Sequence, residues 1–395
     1  MTLLTDAKII TTGNSSKAGT LYSIVPDSGL ADLDITRATT ATRINVDGEI
    51  ESVAVNEPQL DYSLDSCPSL LIEPERTNLY IYSNDYTTNQ TGANVVVTAN
   101  AATSPDGTTN ATKFAASSGG YRLTWGTFFS VSSANNGFYT CSFYAKNINA
   151  TEMKVGIFDG STFANIVTPF SYISQVNTST WTRVSFAFRV LSGTTLVGVE
   201  VVGSGSLGDF LLFGHQIEAG EWPQETSYIP TTSGAVTRNK TYFSKSGISS
   251  LTNNSEGVLY LEFAFLNVIN GDQQIMSIGE NSGASVNIGR WGNGYLGTAT
   301  MGGTNLTFTL NFLSPIPDLL FHKQAIKYKS GDTAIWWGGV EYVTSTTTAT
   351  PANPLDKISS TYNGLTNFWG FEGRIKSIVY YDQALTDAQL LALTT

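Results

Sequence analysis

The sequence predicts an all-β protein. Three observations predict it: a scarcity of charge, an abundance of β-branched, aromatic and turn-forming residues, and many short alternating apolar runs bounded by Gly, Asn, Ser or Pro. Of 395 residues, 41% are hydrophobic, 11% aromatic, only 13% charged, and 37 are glycines. Lys and Glu favour helices, whereas β-branched and aromatic residues fill pleated surfaces and Gly, Asn and Asp supply the turns between them. A chain of this length accommodates two or three cores.

Taken in order, the elements read as follows. Residues 1–77 lack sustained periodicity and show short extended pieces at 19–26, 42–48 and 49–55. So polar a stretch would struggle to bury a core alone, and an extended segment lying on a partner or a sibling subunit is expected. From 78 to 232, runs at 78–83, 93–98, 121–125, 139–145, 153–158, 181–188, 196–202 and 209–213 mostly alternate with period 2. About eight strands over roughly 150 residues imply a jelly-roll sandwich. Residues 225–238 are polar and Pro-interrupted, as an extended linker would be, and the boundary region is set at 233–255. Runs at 257–265, 274–279, 285–290, 305–310, 322–328, 333–337 and 374–381 make a second sandwich over 256–395. The one helix expected spans 387–393, where Thr386 and Gln389 have the spacing of a capping box.

Charge and cysteine usage narrow the function classes. The net charge of −11 and the lack of any Lys/Arg cluster exclude a nucleic-acid partner. No apolar run approaches membrane-spanning length, so no membrane insertion is expected. Residues 1–12 hold no charged region followed by an apolar one, so routing through a classical secretory pathway is not expected. Cys67 and Cys141 read as free thiols of a protein folded in a reducing compartment.

Residues 37–43, 45–51, 58–62 and 67–79, from Arg37 to Leu79, resemble a segment found in bacteriophage structural and tail-fibre-like proteins. There the segment precedes a carbohydrate-binding-module-like jelly roll; residues 82–86 with 97–107 look like its opening, and 213–220 with 227–231 like its close. The C-terminal series is similar to laminin-G-like and concanavalin-like sandwiches, chiefly through residues 322–328, 371–381 and 384–387. Together these resemblances imply a surface-exposed virion component, assembled in the host cytoplasm, that touches host surface glycan. They also imply virion contacts through the N-terminal segment and a homo-oligomer, with a trimer favoured. Modules of the jelly-roll kind often hold a structural calcium through carboxylates near the first and last strands. The last strand here reads Gly214, His215, Gln216, so no cofactor is expected.

Catalytic motifs are weakly represented. Gly203, Gly205 and Gly208 match the dinucleotide glycine pattern, but the following residues read as a strand, so a hairpin turn is expected instead of a phosphate cradle. His215 and His322 fall in different sandwiches without metal-ligand spacing and read as structural. Glycoside cleavage needs two carboxylates across the scissile bond. Glu262 stands alone in its strand, and Glu73 with Glu75 lies in a Pro-rich loop, so these acids read as solvation or strand pairing. A polysaccharide depolymerase and a purely architectural decoration protein remain as alternatives, without a motif in favour of either.

The aromatic inventory carries the binding reading, because sugar rings stack their C–H faces on Trp and Tyr while Asn and Arg take hydroxyls. Arg290, Trp291, Asn293 and Tyr295 cluster in a Gly-rich turn. Trp336 and Trp337 are adjacent on one strand and must point to opposite faces. Trp369 lies near a strand entry, and Tyr121 and Trp125 share a strand of the first sandwich. These nine residues form the candidate carbohydrate site. Trp181 is expected in a core.

Overall fold

The computed structural model describes residues 5–395 except 88–89, 117–120, 126–128, 132–136, 192–193, 195, 204–207, 221–223, 267–272, 281–283, 291–297, 302–303, 307–319, 349–353 and 361–370. Nearly all its regular structure is antiparallel β, as the composition requires. The chain divides into two units, each a sandwich: residues 1–40, 53–74 and 239–395 form one, and 41–52 with 75–238 the other.

The unit holding the C-terminus is one long sheet that curls so that apolar residues of its two flanks share a core. Towards one end of it the Glu256–Phe265 strand pairs with Gly373–Tyr381 and His322–Lys329. Its nearly continuous apolar text follows from burial on both faces. Leu259, Leu261, Phe263 and Phe265 enter that shared core. Val258 and Tyr260 turn the other way, into a layer completed by Leu385 and Leu390. The C-terminal helix, Asp387–Thr394, bears the expected capping box between Thr386 and Gln389. Lys327 anchors it by bonding Asp387 (3.3 Å) and Asp332 (2.8 Å).

The expectation that residues 1–77 form a separate extended segment is corrected. Ile9–Lys17 pairs with Gly373–Tyr381, and Thr20–Val25 and Leu33–Thr36 continue the same sheet to Tyr242–Ser246. The segment cannot bury a core alone, and it completes one instead: Ile9, Leu21, Leu33, Ile35, Leu70 and Ile72 are all core residues. Within residues 37–73 the buried Arg37 guanidinium explains the order. It donates to the carbonyl oxygens of Thr39 (3.0 Å), Ala54 (2.6 Å) and Glu57 (3.0 Å) and to Gln59 Oε1 (3.2 Å). Gln59 in turn donates to the buried Glu73 carboxylate at 2.9 Å. Five planar donors suit a loop whose carbonyls converge on one point.

In the other unit a seven-stranded sheet centred on Phe138–Asn147 and Gly208–Ala219 faces a six-stranded sheet containing Lys154–Asp159 and Leu196–Gly203. Two expectations change here. Leu196–Gly203 and Gly208–Ala219 pair into different sheets, so these two strands do not form the expected hairpin; residues 204–207 are outside the described set. The run expected at 78–83 stops at Asn78, whose side chain takes over the ladder's role. Its Oδ1 accepts from Tyr80 N and Ile217 N (both 3.0 Å), and its Nδ2 donates to Ile229 O (2.8 Å).

The expected linker at 225–238 is also part of this sandwich. Gln216 Oε1 accepts from Ile229 N at 2.6 Å, Glu218 accepts from Thr226 N at 3.0 Å, and Arg238 donates to Ser227 Oγ at 2.9 Å. Gln216, Glu218, Thr226 and Arg238 are buried and bonded within this group, while residues 232–237 lie exposed along the surface. Trp181 is partly buried beside Ile50, Phe213 and Tyr228, with its Nε1 donating to Thr103 O at 3.1 Å. Cys67 and Cys141 are free thiols, as read from the sequence.

Candidate functional site

The sequence candidates separate once they are placed. Trp291, Asn293, Tyr295 and Trp369 lie outside the described residues. Arg290 closes the Ala284–Arg290 strand opposite Gln273. Tyr121 and Trp125 bound a strand of the other sandwich, between Leu196–Gly203 and Gln90–Ala93. Trp336 is corrected: it is 7% exposed, packed with Tyr260, Ala325 and Leu390 in the layer under the C-terminal helix, and offers no face to a sugar.

Of the two candidates whose burial is described, Trp336 and Trp337, the second retains solvent access, and its position follows from hairpin geometry. The Thr333–Trp337 and Val340–Ser345 strands join through Gly338 and Gly339, both left-handed at φ 54° and 77°. A two-residue turn with two positive φ values matches the right-handed twist of its strands, and glycine adopts it without strain. Trp337 is therefore the last residue before the turn, opposite Gln324. His322 opens the neighbouring strand, two residues from Gln324 and on the same face. The rings meet with centroids 4.7 Å apart and planes 27° from parallel. Phe263, cross-strand from His322, sets its ring edge-on to the indole at 5.7 Å. Imidazole and indole are each half-buried, so the tryptophan is held in one orientation while part of it stays open.

Beyond this pair, Lys376 lies 5.2 Å over the Phe321 ring, bonds Asp65 at 2.6 Å and approaches Glu262 at 3.8 Å. The hydrogen bond from Lys376 lowers the Asp65 carboxyl well below the usual range. The same bond raises Lys376. Glu262 is thus engaged in surface pairing, as the sequence suggested. Glu73 is buried on Gln59.

A contact that spacing alone could not reveal lies in the other sandwich. His215 Nε2 is 3.8 Å from Cys141 Sγ, and Nδ1 is 3.2 Å from the Tyr86 hydroxyl. The ring stacks on Phe143 at 4.8 Å and lies 4.8 Å from Tyr80. Burial pushes the thiol up and the imidazole down to about 3. Both are neutral near pH 7, so no thiolate–imidazolium nucleophile forms. Among the described residues no group of three or more His, Cys, Asp or Glu is placed to hold a metal.

No protein-family model and no curated protein matches the chain. Solved structures show partial likeness. One is the CBM40 module of the Ruminococcus gnavus IT-sialidase bound to alpha2,6 sialyllactose, at 15% identity and TM-score 0.33, covering 38% of this chain and 92% of that one. Another is domain 4 of AbnA, a GH43 extracellular arabinanase from Geobacillus stearothermophilus, in complex with arabinotriose, at 14% identity and TM-score 0.32, covering 44% and 83%. A third is the SAP-like pentraxin from Limulus polyphemus, at 11% identity and TM-score 0.29, covering 35% and 70%.

Proposed function

We propose that this chain is a non-catalytic glycan-binding protein of a bacteriophage virion, of fibre, spike or tail type, that adheres to host surface saccharide. The observation that carries the binding part is the half-open Trp337 indole held by His322 and Phe263. An aromatic fixed before ligand arrives loses little entropy when a pyranose stacks on it. The virion part rests on the resemblance of residues 37–79. The buried Arg37–Gln59–Glu73 network supports reading that stretch as an ordered element. A trimeric assembly belongs to the same proposal, since weak single sites gain avidity by repetition.

A glycan array with the purified chain and its Trp337→Ala variant tests the reading. The expected result is binding to a defined glycan set that the variant weakens by roughly tenfold, the loss of one stacked ring. Binding to no glycan overturns the proposal in favour of an architectural protein. Release of reducing ends from host polysaccharide overturns it in favour of a depolymerase.

A further inference from the structure

A second ring stands apart from Trp337, at the tip of a hairpin in the other sandwich. The Lys154–Asp159 and Asn165–Ser171 strands are joined by a turn in which Phe163 N donates to Asp159 O and Asp159 N to Ala164 O, both at 2.8 Å. Asp159 Oδ1 accepts from Ser161 N at 2.8 Å and Thr162 N at 2.9 Å. Phe163 itself has φ of 59°, a left-handed conformation that a bulky side chain adopts only at a cost. Its ring is nevertheless 65% exposed. Folding would be served better by Gly or Asn at this position, so a strained and exposed phenylalanine is a pointer to function.

The ring also has a rigid seat. Phe158, only 1% exposed, lies parallel to Phe163 within 11°, with centroids 6.0 Å apart. Phe158 in turn lies against Gly198, where a Cβ would come 2.3 Å from its Cζ. Thr194 bonds the Asp159 side chain, and Leu191 of the same loop is 69% exposed. A single ring-sized apolar surface rimmed by the exposed Ser161, Thr162 and Asn165 matches one saccharide unit. A protein partner needs an interface of about 1,000 Å² or more.

We propose that Phe163 is a second saccharide platform, taking the C–H face of one uncharged hexopyranose ring whose hydroxyls meet Ser161, Thr162 and Asn165. The carboxyl of Asp159 is held below the usual range by the amides of Thr162 and Ser161, so it stays anionic beside the ring. That charge, on a chain of net −11, opposes sialic and uronic acids. The platform uses none of the Trp337 residues and stands or falls separately.

The test titrates the full chain with short neutral gluco- and galacto-configured oligosaccharides and with sialyllactose, following backbone amide and indole chemical shifts and affinity. The wild type is compared with Phe163→Asn, which tolerates the left-handed backbone, and Phe163→Tyr, which restores a ring. Expected are shifts at the amides of residues 161–164 with neutral ligands, an affinity roughly tenfold weaker in Phe163→Asn, and recovery in Phe163→Tyr. The thermal midpoint of Phe163→Asn is expected not to fall, which separates lost binding from lost fold. Unchanged affinity in Phe163→Asn, or preference for sialyllactose at these amides, overturns the inference. Shifts confined to the Trp337 indole overturn it while leaving the Trp337 proposal standing.

Discussion

His215 makes one sandwich acid-sensitive in a way that can be worked out before measurement. Its imidazole is buried among Phe143, Tyr80 and Tyr86, and burial lowers its pKa from 6.5 to about 3. The unfolded chain therefore binds a proton between these two values that the folded chain refuses. Stability is full above the unfolded pKa and falls as pH drops towards the folded one. At about 1.4 kcal/mol per pH unit, the loss reaches ~3 kcal/mol by pH 4.5, before most carboxylates protonate, and ~4 kcal/mol by pH 3, where the folded imidazole begins to protonate as well. Hydrogen exchange, corrected for the intrinsic pH dependence, reads this locally. Protection in the Phe138–Asn147 strand, which carries Cys141 and Phe143 of the His215 surroundings, should fall between pH 7 and 4.5. Protection in Glu256–Phe265, which belongs to the other unit, should fall much less. A His215→Phe variant should lose the slope whatever its absolute stability. If both strands lose protection in parallel, or if the variant keeps the wild-type slope, the reasoning from burial is wrong.

Two further outcomes follow from close packing. Arg37→Met keeps the aliphatic stem but strips donors from the carbonyls of Thr39, Ala54 and Glu57. It should cost about 3 kcal/mol or more in urea unfolding, and an unchanged midpoint would refute the clamp. Gly198→Ala drives a methyl to 2.3 Å from Phe158 Cζ. A loss of ~1–3 kcal/mol is expected, and combining it with Phe158→Leu should cost less than the sum of the two single losses.

Legibility in the sequence tracked how local the determining interaction was. The Glu256–Phe265, His322–Lys329 and Thr333–Trp337 strands are readable because each is a short run rich in apolar residues bounded by Asn, Ser or Gly, and the Thr386 cap because its partner is three residues away. The meeting of His322 and Trp337 was also within reach, since a hairpin brings its two ends together. Ala111–Ala116 and Asn165–Ser171 were missed. The first is short and small-residued, and the second contains Pro169, which is tolerated because that strand lies at a sheet edge. The Phe163 platform gave no periodic signal, because its meaning lies in one backbone angle and in the ring beneath it.

The sequence by itself determined the class of structure: low charge and alternating apolar runs leave antiparallel sheets as the way to bury these side chains. It also determined the Thr386–Gln389 helix cap, where Thr and Gln act within a few residues of each other. Only the tertiary structure decided which chain segments share a core. The N-terminal strands read as an unattached arm because their partner, Gly373–Tyr381, lies more than 350 positions away, a separation that no local pattern encodes. Tertiary structure likewise decided that Trp336 is core and Trp337 half-open. Alternation says that neighbours point apart, and only the layer packed on each face says which of them meets solvent.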